Sequence, residues 1–325
     1  GEVMKRVEIL EESDESGGEE AAEAAQVKVD FGVGGEASGL SGAARQQDGS
    51  GVSSAENVLL LPTPEASASV TVEDLQVCGE GIQDGEAIAV MARVLGSGNR
   101  PRNVSLSGNA ITSTGASAVL TLIYRSLPAV ESLDLSDNQI NNECDRDLQE
   151  LLTTHSLRHL NLSTNDLTSL SDWHLPLSSS LETLILANND LGSACALDLA
   201  AALSSPTCSL VRLDLSNTGI DAEGAGMIGE FLKDNTALRS LKLNDNNCGE
   251  GAPAIAEHAT GLRVLSLRNT GLTDVVAKKL VSALAVSRGS MMERVDCSNN
   301  SLCTDVARAS VKGLKLVKKS AEVIF

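Results

Sequence analysis

Aromatic and positively charged residues are scarce in this chain. Its 325 residues include 1 Trp, 1 Tyr and 3 Phe, and 25 Lys and Arg face 44 Asp and Glu, giving a formal net charge of −19. So few rings exclude a protein that recognises bases or sugars by stacking. The negative charge excludes a non-specific nucleic-acid binder and a protein held on anionic membranes, because both need a cationic surface. The apolar residues, 42% of the chain, must therefore build a core from Leu, Ile, Val and Ala.

Long apolar runs are also missing. No stretch reaches the roughly 18 consecutive apolar residues that a membrane-spanning helix needs. No apolar segment of the secretory type follows Lys5 and Arg6. The 7 cysteines are odd in number and form no C-x-x-C pair, which predicts reduced thiols. We therefore expect a cytoplasmic or nuclear protein.

The composition divides the chain near residue 66. Residues 1–66 hold 14 acids and 4 bases, with runs of Glu, Ser and Gly such as residues 11–20. Their apolar content is too low to offset the conformational entropy of folding. We predict that residues 1–66 form an acidic, mostly disordered tail and that residues 67–325 form a separate domain.

A repeated pattern runs through the second part of the chain. The pattern L-x-x-L-x-L-x-x-N-x-L fits nine segments, spaced by 24 to 30 residues with a mean of 27.5. The segments begin at Val72, Pro101, Val130, Leu157, Leu181, Leu210, Leu238, Leu262 and Met292. Such a period indicates a solenoid in which each copy packs against its neighbours.

Each segment has the features of a short parallel strand followed by a turn. Alternating apolar residues such as Leu213 and Leu215 point inward, and Asp214 between them points outward. The ninth position is Asn in six copies. Its amide can satisfy backbone groups that the turn would otherwise leave buried and unpaired. Thr218 and Thr270 replace it in two copies, where we expect the hydroxyl to act as a smaller version of the amide.

Helical spacing follows the strands, as in residues 224–232 after Ile220. A strand–helix repeat of this length, with this Gly position, resembles the ribonuclease-inhibitor type of leucine-rich repeat. The resemblance covers residues 72–325. It implies an α/β leucine-rich-repeat solenoid, a curved horseshoe of about nine repeats with parallel strands on the concave face and helices on the convex face.

Two features modify this regular picture. Two repeats have 24 residues, and one of them contains residues 171–176, a segment that breaks the helix pattern. We expect the horseshoe to bend or flatten there. At the C-terminal end, residues 311–319 are predicted to form a capping helix that covers the last open edge.

The sequence predicts no catalytic or metal-binding group. His155 and His159 are four residues apart, but they flank a turn that enters a strand, which differs from a zinc-binding helix. Cys248 and Cys297 fall on inward positions and are expected to be small core residues. We therefore predict a protein that is not an enzyme, with no catalytic residues, metal or cofactor.

Charged residues at outward strand positions form a basic strip in the last four repeats. One interpretation of this strip is ordinary solvated charge. The other is a docking surface for an acidic protein partner or for the chain's own acidic tail. The predicted partner-binding residues are Arg212, Asp214, Arg239, Lys242, Arg263, Arg268 and Arg294.

The tail contains a short β-prone island at residues 26–33. Within it, Lys28-Val29-Asp30-Phe31 resembles the docking motif by which regulatory subunits hold the type-1 serine/threonine phosphatase. In that family the segment adds as a strand to a sheet edge. The resemblance implies that Val29 and Phe31 fill apolar pockets and that Lys28 meets acidic surface. One alternative is that the island pairs with the open edge of the first repeat as an N-terminal cap. Another is that it is a linker or docks onto a different partner.

These observations favour a non-catalytic protein-interaction scaffold or adaptor, which binds through the concave face, the tail or both. The alternative is a regulatory subunit of the type-1 phosphatase. A third interpretation is an activator of a small GTPase, because GTPase-activating proteins for Ran share this repeat type and carry an acidic tail. Their tail follows the repeats, whereas the acidic segment here precedes them.

Overall fold

The computed structural model describes residues 7–10, 26–29, 74–173, 180–205, 207–287, 291–302 and 322–324. The chain divides into two compact units, Gly1–Val70 and Thr71–Phe325. The boundary after residue 66 and the disorder of residues 1–66 stay predictions, because most of that segment lies outside the described residues.

The first unit contains a separate two-stranded sheet. Strand β1 (Val7–Leu10) pairs antiparallel with β2 (Gln26–Val29), and Val7 stands opposite Val29. The β-prone island therefore begins as a strand. Its partner is β1, so the interpretation that it pairs with the first repeat is wrong for the four residues described. Residues 30–33 lie outside the described part of the chain.

The second unit is built on one parallel sheet of ten strands that follow one another in chain order. The strands are β3 (Asp74–Gln76), β4 (Asn103–Ser105), β5 (Ser132–Asp134), β6 (His159–Asn161), β7 (Thr183–Ile185), β8 (Arg212–Asp214), β9 (Ser240–Lys242), β10 (Val264–Ser266), β11 (Arg294–Asp296) and β12 (Glu322–Ile324). All nine predicted strands are present in register, and β12 was not predicted. The predicted fold, an open α/β leucine-rich-repeat solenoid, is confirmed.

One buried residue at the centre of each strand joins the sheet to the core. Leu213 of β8, for example, is paired with Leu184 and Leu241 in the neighbouring strands, and all three are buried. The residues on either side of the central one lie on the opposite face, since side chains alternate along a strand. The repeat thus fixes which side chains belong to the core and which to the concave face.

Seven α-helices lie within the described repeats and bury one side each. They are α1 (Asp84–Gly96), α2 (Ser113–Ser126), α3 (Asp145–Thr154), α4 (Ala194–Ser204), α5 (Ala222–Phe231), α6 (Ala252–His258) and α7 (Asp274–Val286). Thr112, Asp221 and Thr273 cap α2, α5 and α7 by accepting hydrogen bonds from backbone N–H groups of the first turn. In the described part of the chain, no helix combines the length and the apolar character needed to cross a membrane.

The two short repeats carry shortened helical segments. In one, a 3-10 helix at Ser171–Trp173 stands where the others have an α-helix. Trp173 is buried, and its indole N–H donates to Asp145 at 2.8 Å. The predicted interruption of the helix pattern is present at residues 171–173. Residues 174–179 lie outside the described part, and the expected bend or flattening of the horseshoe stays a prediction. In the other, α6 has 7 residues and follows a 3-10 helix at Gly249–Gly251.

The ninth-position amides tie each repeat to the one before it. Asn246 donates to the carbonyls of Leu215 at 2.8 Å and Leu243 at 3.1 Å, and it accepts from the N–H groups of Thr218 and Ile220 at 3.0 Å each. Asn109, Asn138, Asn165, Asn189 and Asn300 make the same kind of bonds. The predicted role of these amides is confirmed.

The two threonines at this position were expected to replace the amide with their hydroxyl, but they form different hydrogen bonds. The hydroxyl of Thr218 donates to Leu215 within its own repeat at 2.7 Å. The link to the preceding repeat is made by the backbone, because the N–H of Gly192 donates to the carbonyl of Thr218 at 2.8 Å. Thr270 and Gly249 repeat this arrangement.

The last strand provides an edge that the sequence pattern did not predict. β12 pairs with β11, and Val323 is buried beside it. The predicted capping helix at residues 311–319 lies outside the described residues.

Candidate functional site: the concave face of the sheet

Outward side chains of the parallel strands form a continuous surface, which we call the concave face. Its first row consists of the first residue of each strand, and its second row consists of the third residue. Consecutive strands place these residues directly side by side, as Asp214 stands beside Ile185 and Lys242. The residue before each strand forms a neighbouring line, the strand-entry row.

Several polar side chains of the second row are held in place by the turn that follows. Asp214 Oδ1 accepts from the backbone N–H of Ser216 at 3.1 Å and from its hydroxyl at 2.7 Å. Asp134, Asn161 and Asp296 make the same pair of bonds with the serine two residues later. These groups are therefore oriented before any partner arrives.

The half of the concave face over β3–β6 carries negative charge. Its two rows contain Asp74 and Asp134 and, among the described residues, no Lys or Arg. Asp74 accepts a hydrogen bond from Asn103 of the next strand at 2.6 Å. His159 lies half-buried in the first row of β6. This half of the face was not predicted to bind a partner.

The half over β8–β11 carries most of the predicted basic residues. Arg212 and Arg294 lie in the first row, Lys242 lies in the second row, and Arg268 follows β10 by two residues. Lys242 pairs with Asp214 at 2.9 Å, and Arg294 lies 3.9 Å from Asp296. Within the described residues, the guanidinium groups of Arg212 and Arg268 have no hydrogen-bond or ion-pair partner.

Two predicted residues lie in the strand-entry row instead. Arg239 is half-buried and donates to the carbonyls of Leu238 at 3.3 Å and Gly261 at 3.1 Å. Arg263 pairs with Glu293 at 2.9 Å. Both guanidinium groups are thus engaged within the solenoid, and the structure does not bring them into the rows that hold Arg212 and Lys242.

The strand-entry row also contains a charge ladder that sequence reasoning missed. Arg102, Glu131, Arg158 and Glu182 alternate in sign on four successive repeats, and each forms an ion pair with its neighbour. Residues of this ladder line a shallow cleft of about 480 Å³. The alternation of charge at the second repeat position was the signal that could have predicted it.

The phosphatase-like motif lies partly within the described residues. Lys28 and Val29 are the last two residues of β2, so their backbone is extended. Asp30 and Phe31 lie outside the described residues.

Four cysteines and one histidine among the described residues are buried in the core. Burial raises the pKa of the Cys144, Cys195, Cys248 and Cys297 thiols to about 12, so these groups stay protonated at neutral pH. His155 is buried with Nε2 at 3.0 Å from the carbonyl of Leu127. Among the described residues, no group of three His, Cys, Asp or Glu side chains is placed to hold a metal ion.

Comparisons with known proteins agree with the repeat architecture. The family described as Leucine Rich repeat matches residues 102–120, 127–143 and 208–229. Ribonuclease inhibitor of Sus scrofa is 30% identical over 145 residues, which are 43% of this chain and 31% of that protein. NACHT, LRR and PYD domains-containing protein 5 of Homo sapiens is 26% identical over 231 residues, 69% of this chain and 17% of that protein. This chain thus spans less than a third of the length of either relative.

A solved structure shares the fold. It is titled "Crystal structure of Rad7 and Elc1 complex in yeast", and one of its chains has a TM-score of 0.51 and 12% identity over 78% of this chain and 67% of that chain. The ordered stack of strand, turn and helix defines a solenoid protein. In sequence, the chain is similar to leucine-rich-repeat proteins of the ribonuclease-inhibitor-like type.

Proposed function

We propose that this protein is a non-catalytic scaffold or adaptor whose concave face binds a protein partner. The observation that carries the proposal is the set of fixed polar groups on that face. Asp134, Asn161, Asp214 and Asp296 are each oriented by two hydrogen bonds from the following serine. A surface ordered in advance loses less conformational entropy when it binds, so its contacts contribute more to affinity.

The comparisons support a role in protein interaction without naming a partner. Ribonuclease inhibitor is, by its name, a protein that acts on another protein. The Rad7 structure is, by its title, a complex of two proteins. Partner identity is decided by the outward residues of the repeats, which vary without loss of fold.

The test is affinity capture with the full chain as bait, followed by mass spectrometry. Two variants with equal charge change are compared with wild type. Arg212→Glu/Arg294→Glu reverses two bases of the concave face, and Lys278→Glu/Lys279→Glu reverses two exposed bases of α7. We expect the concave variant to lose partners that wild type and the α7 variant recover, and purified candidates must then bind directly. Equal recovery by all three baits would contradict the proposal.

A second candidate function is docking to the type-1 serine/threonine phosphatase through Lys28, Val29 and Phe31. The extended backbone of β2 favours it, because the family motif binds as an added strand. The measurement is direct binding of the purified phosphatase catalytic subunit to the full chain. We expect Val29→Ala/Phe31→Ala to abolish binding and Val27→Ala/Val33→Ala, which flanks the motif, to retain it. Binding that survives the first variant would remove this candidate.

A further inference from the structure

We propose that the concave face over β8–β11 binds an extended segment of a partner protein that is rich in Asp and Glu. This inference rests on the proposed scaffold function and adds the chemistry of the partner. It identifies Arg212, Lys242, Arg268 and Arg294 as the residues that meet the partner's carboxylates.

The arrangement of side chains over β8–β11 leaves room for such a segment. In the first row, Arg212 and Arg294 stand at either side of the smaller Ser240 and Val264. Neighbouring strands lie about 4.8 Å apart, so the two arginines start about 14 Å from each other. Two long basic side chains therefore border a floor of small residues.

Beside this floor, the amide of one asparagine ties the neighbouring strands together. Asn244, just beyond β9, accepts from the hydroxyl of Ser266 at 2.6 Å and from the backbone N–H of Arg268 at 3.0 Å. It also donates to the hydroxyl of Ser216 at 3.3 Å. These bonds link β8, β9 and β10 across the face and fix the backbone that carries Arg268.

The acids of this region do not cancel its positive charge at the surface. The side chains of Lys242 and Arg294 are each 51% exposed, whereas their neighbours Asp214 and Asp296 are 15% and 17% exposed. Both carboxylates are already bonded to serines below the bases. Within β8–β11 the bases are therefore the more exposed charges, even though the whole chain has a net charge of −19. One exposed acid, Glu322 of β12, stands beside Arg294 at the end of the first row.

Charge complementarity and dimensions together point to a short acidic peptide. An extended chain rises about 3.3 Å per residue, so about five residues cross these four strands. Alternate side chains of such a segment face the sheet, and carboxylates can form paired hydrogen bonds with each guanidinium. A long polyanion such as a nucleic acid fits less well, because Asp74 and Asp134 lie on the other half of the same face.

Fluorescence anisotropy with labelled peptides of equal length tests the proposal on the full chain. The probes are a 12-residue peptide of alternating Glu and Asp, its Gln/Asn counterpart, and the Gln/Asn peptide with one phosphoserine. We expect the acidic peptide to bind and the Gln/Asn peptide not to bind. Raising NaCl from 0.05 to 0.5 M should weaken binding by about tenfold or more, since the contacts are ionic and exposed.

Variants locate the site and separate this inference from the proposed function. We expect Arg212→Glu/Arg294→Glu to weaken acidic-peptide binding by about tenfold or more and Lys278→Glu/Lys279→Glu by less than about twofold. Melting curves of both variants check that they fold. Equal binding by both variants overturns the inference, and so does preference for the phosphoserine peptide. If no acidic peptide binds but affinity capture depends on the concave face, the scaffold function stands and this inference fails.

Discussion

At the scale of single residues, the ninth-position amides decide how repeats are joined. Asn246 is buried, and five backbone groups from two repeats use its amide. Leu or Ala at this position would leave those groups unpaired in the interior. In the two repeats with threonine, the backbone carbonyl of the threonine accepts the hydrogen bond from the neighbouring repeat instead. The sequence pattern did not predict this arrangement.

Replacing Asn246 by Ala should therefore cost stability. We expect the free energy of unfolding to fall by about 3 kcal/mol, because several buried backbone groups lose partners. Urea unfolding followed by circular dichroism gives the measurement. Asn247→Ala, at the exposed next position, is the control and should change stability by less than about 0.5 kcal/mol. Similar losses of stability in both variants would argue against the proposed role of the ninth-position amide.

Asp221 makes a prediction about pH. The hydrogen bond from the backbone N–H of Gly224, and next that from Ser193, lower the pKa of Asp221 from its ordinary value. The pKa of Asp221 is lower in the folded state than in the unfolded state, so the carboxylate stabilises the fold at any pH above its unfolded-state pKa. This stabilisation is lost as the pH falls through the folded-state pKa of Asp221.

We expect Asp221→Ala to destabilise the protein by about 1 kcal/mol at neutral pH, the usual worth of an N-cap. The difference in the free energy of unfolding between variant and wild type should become smaller below about pH 4. Chemical unfolding at several pH values measures it. Glu223→Ala, which removes a nearby charge without removing the cap, should leave a smaller gap.

At the scale of elements, the helices pack closely because glycines face their neighbours. A Cβ on Gly229 of α5 would lie 2.8 Å from backbone atoms of Ala254 and Ile255 in α6. A Cβ on Gly226, in the same helix, would meet no atom within 4 Å. Two glycines of one helix thus have opposite constraints.

The two glycines give a matched pair of substitutions. Gly229→Ala should destabilise the protein by about 1–3 kcal/mol, since backbone must move to admit the methyl group. Gly226→Ala should stabilise it by about 0.5–1 kcal/mol, because Ala loses less backbone entropy in a helix. Thermal unfolding of the two variants and of the wild type measures both changes in stability. A Gly229→Ala variant as stable as wild type would show that α5 and α6 can separate without loss.

Sequence patterning predicts most of these elements and fails at identifiable points. The spacing of Leu predicts nine strands, because apolar residues that alternate with polar ones before a turn are typical of a short β-strand. β12 was missed since Glu322-Val323-Ile324 lacks both the leading leucines and the following Asn. The binding surface is harder to predict. The central outward residues of the strands were predicted correctly, but Arg239 and Arg263 lie one position before their strands and are engaged within the solenoid. The engagement of Arg239 with backbone carbonyls leaves no mark in the repeat pattern.

At the scale of the whole repeat unit, the open sheet needs protection at its ends. β12 supplies it at one end, where Cys297 donates its backbone N–H to Ile324 at 2.7 Å and Glu322 donates to Glu293 at 2.7 Å. Without β12, the edge of β11 would offer unpaired backbone groups to other chains.

Deleting residues 321–325 should therefore lower the melting temperature by about 5 °C and promote association. Scanning calorimetry and light scattering measure the two effects. Deletion of residue 325 alone, which follows the strand, serves as the comparison. A monomeric protein with unchanged melting temperature after the longer deletion would mean that β12 does not protect the edge.

The change of sign along the concave face gives the surface a direction. Asp74 and Asp134 lie over β3–β6, and exposed bases lie over β8–β11, while the last strand, β12, adds one exposed acid, Glu322. A symmetric groove would accept a ligand equally well in either orientation. Here a ligand with separated charges has one favoured orientation, so whatever is attached to its two ends is delivered to opposite ends of the solenoid.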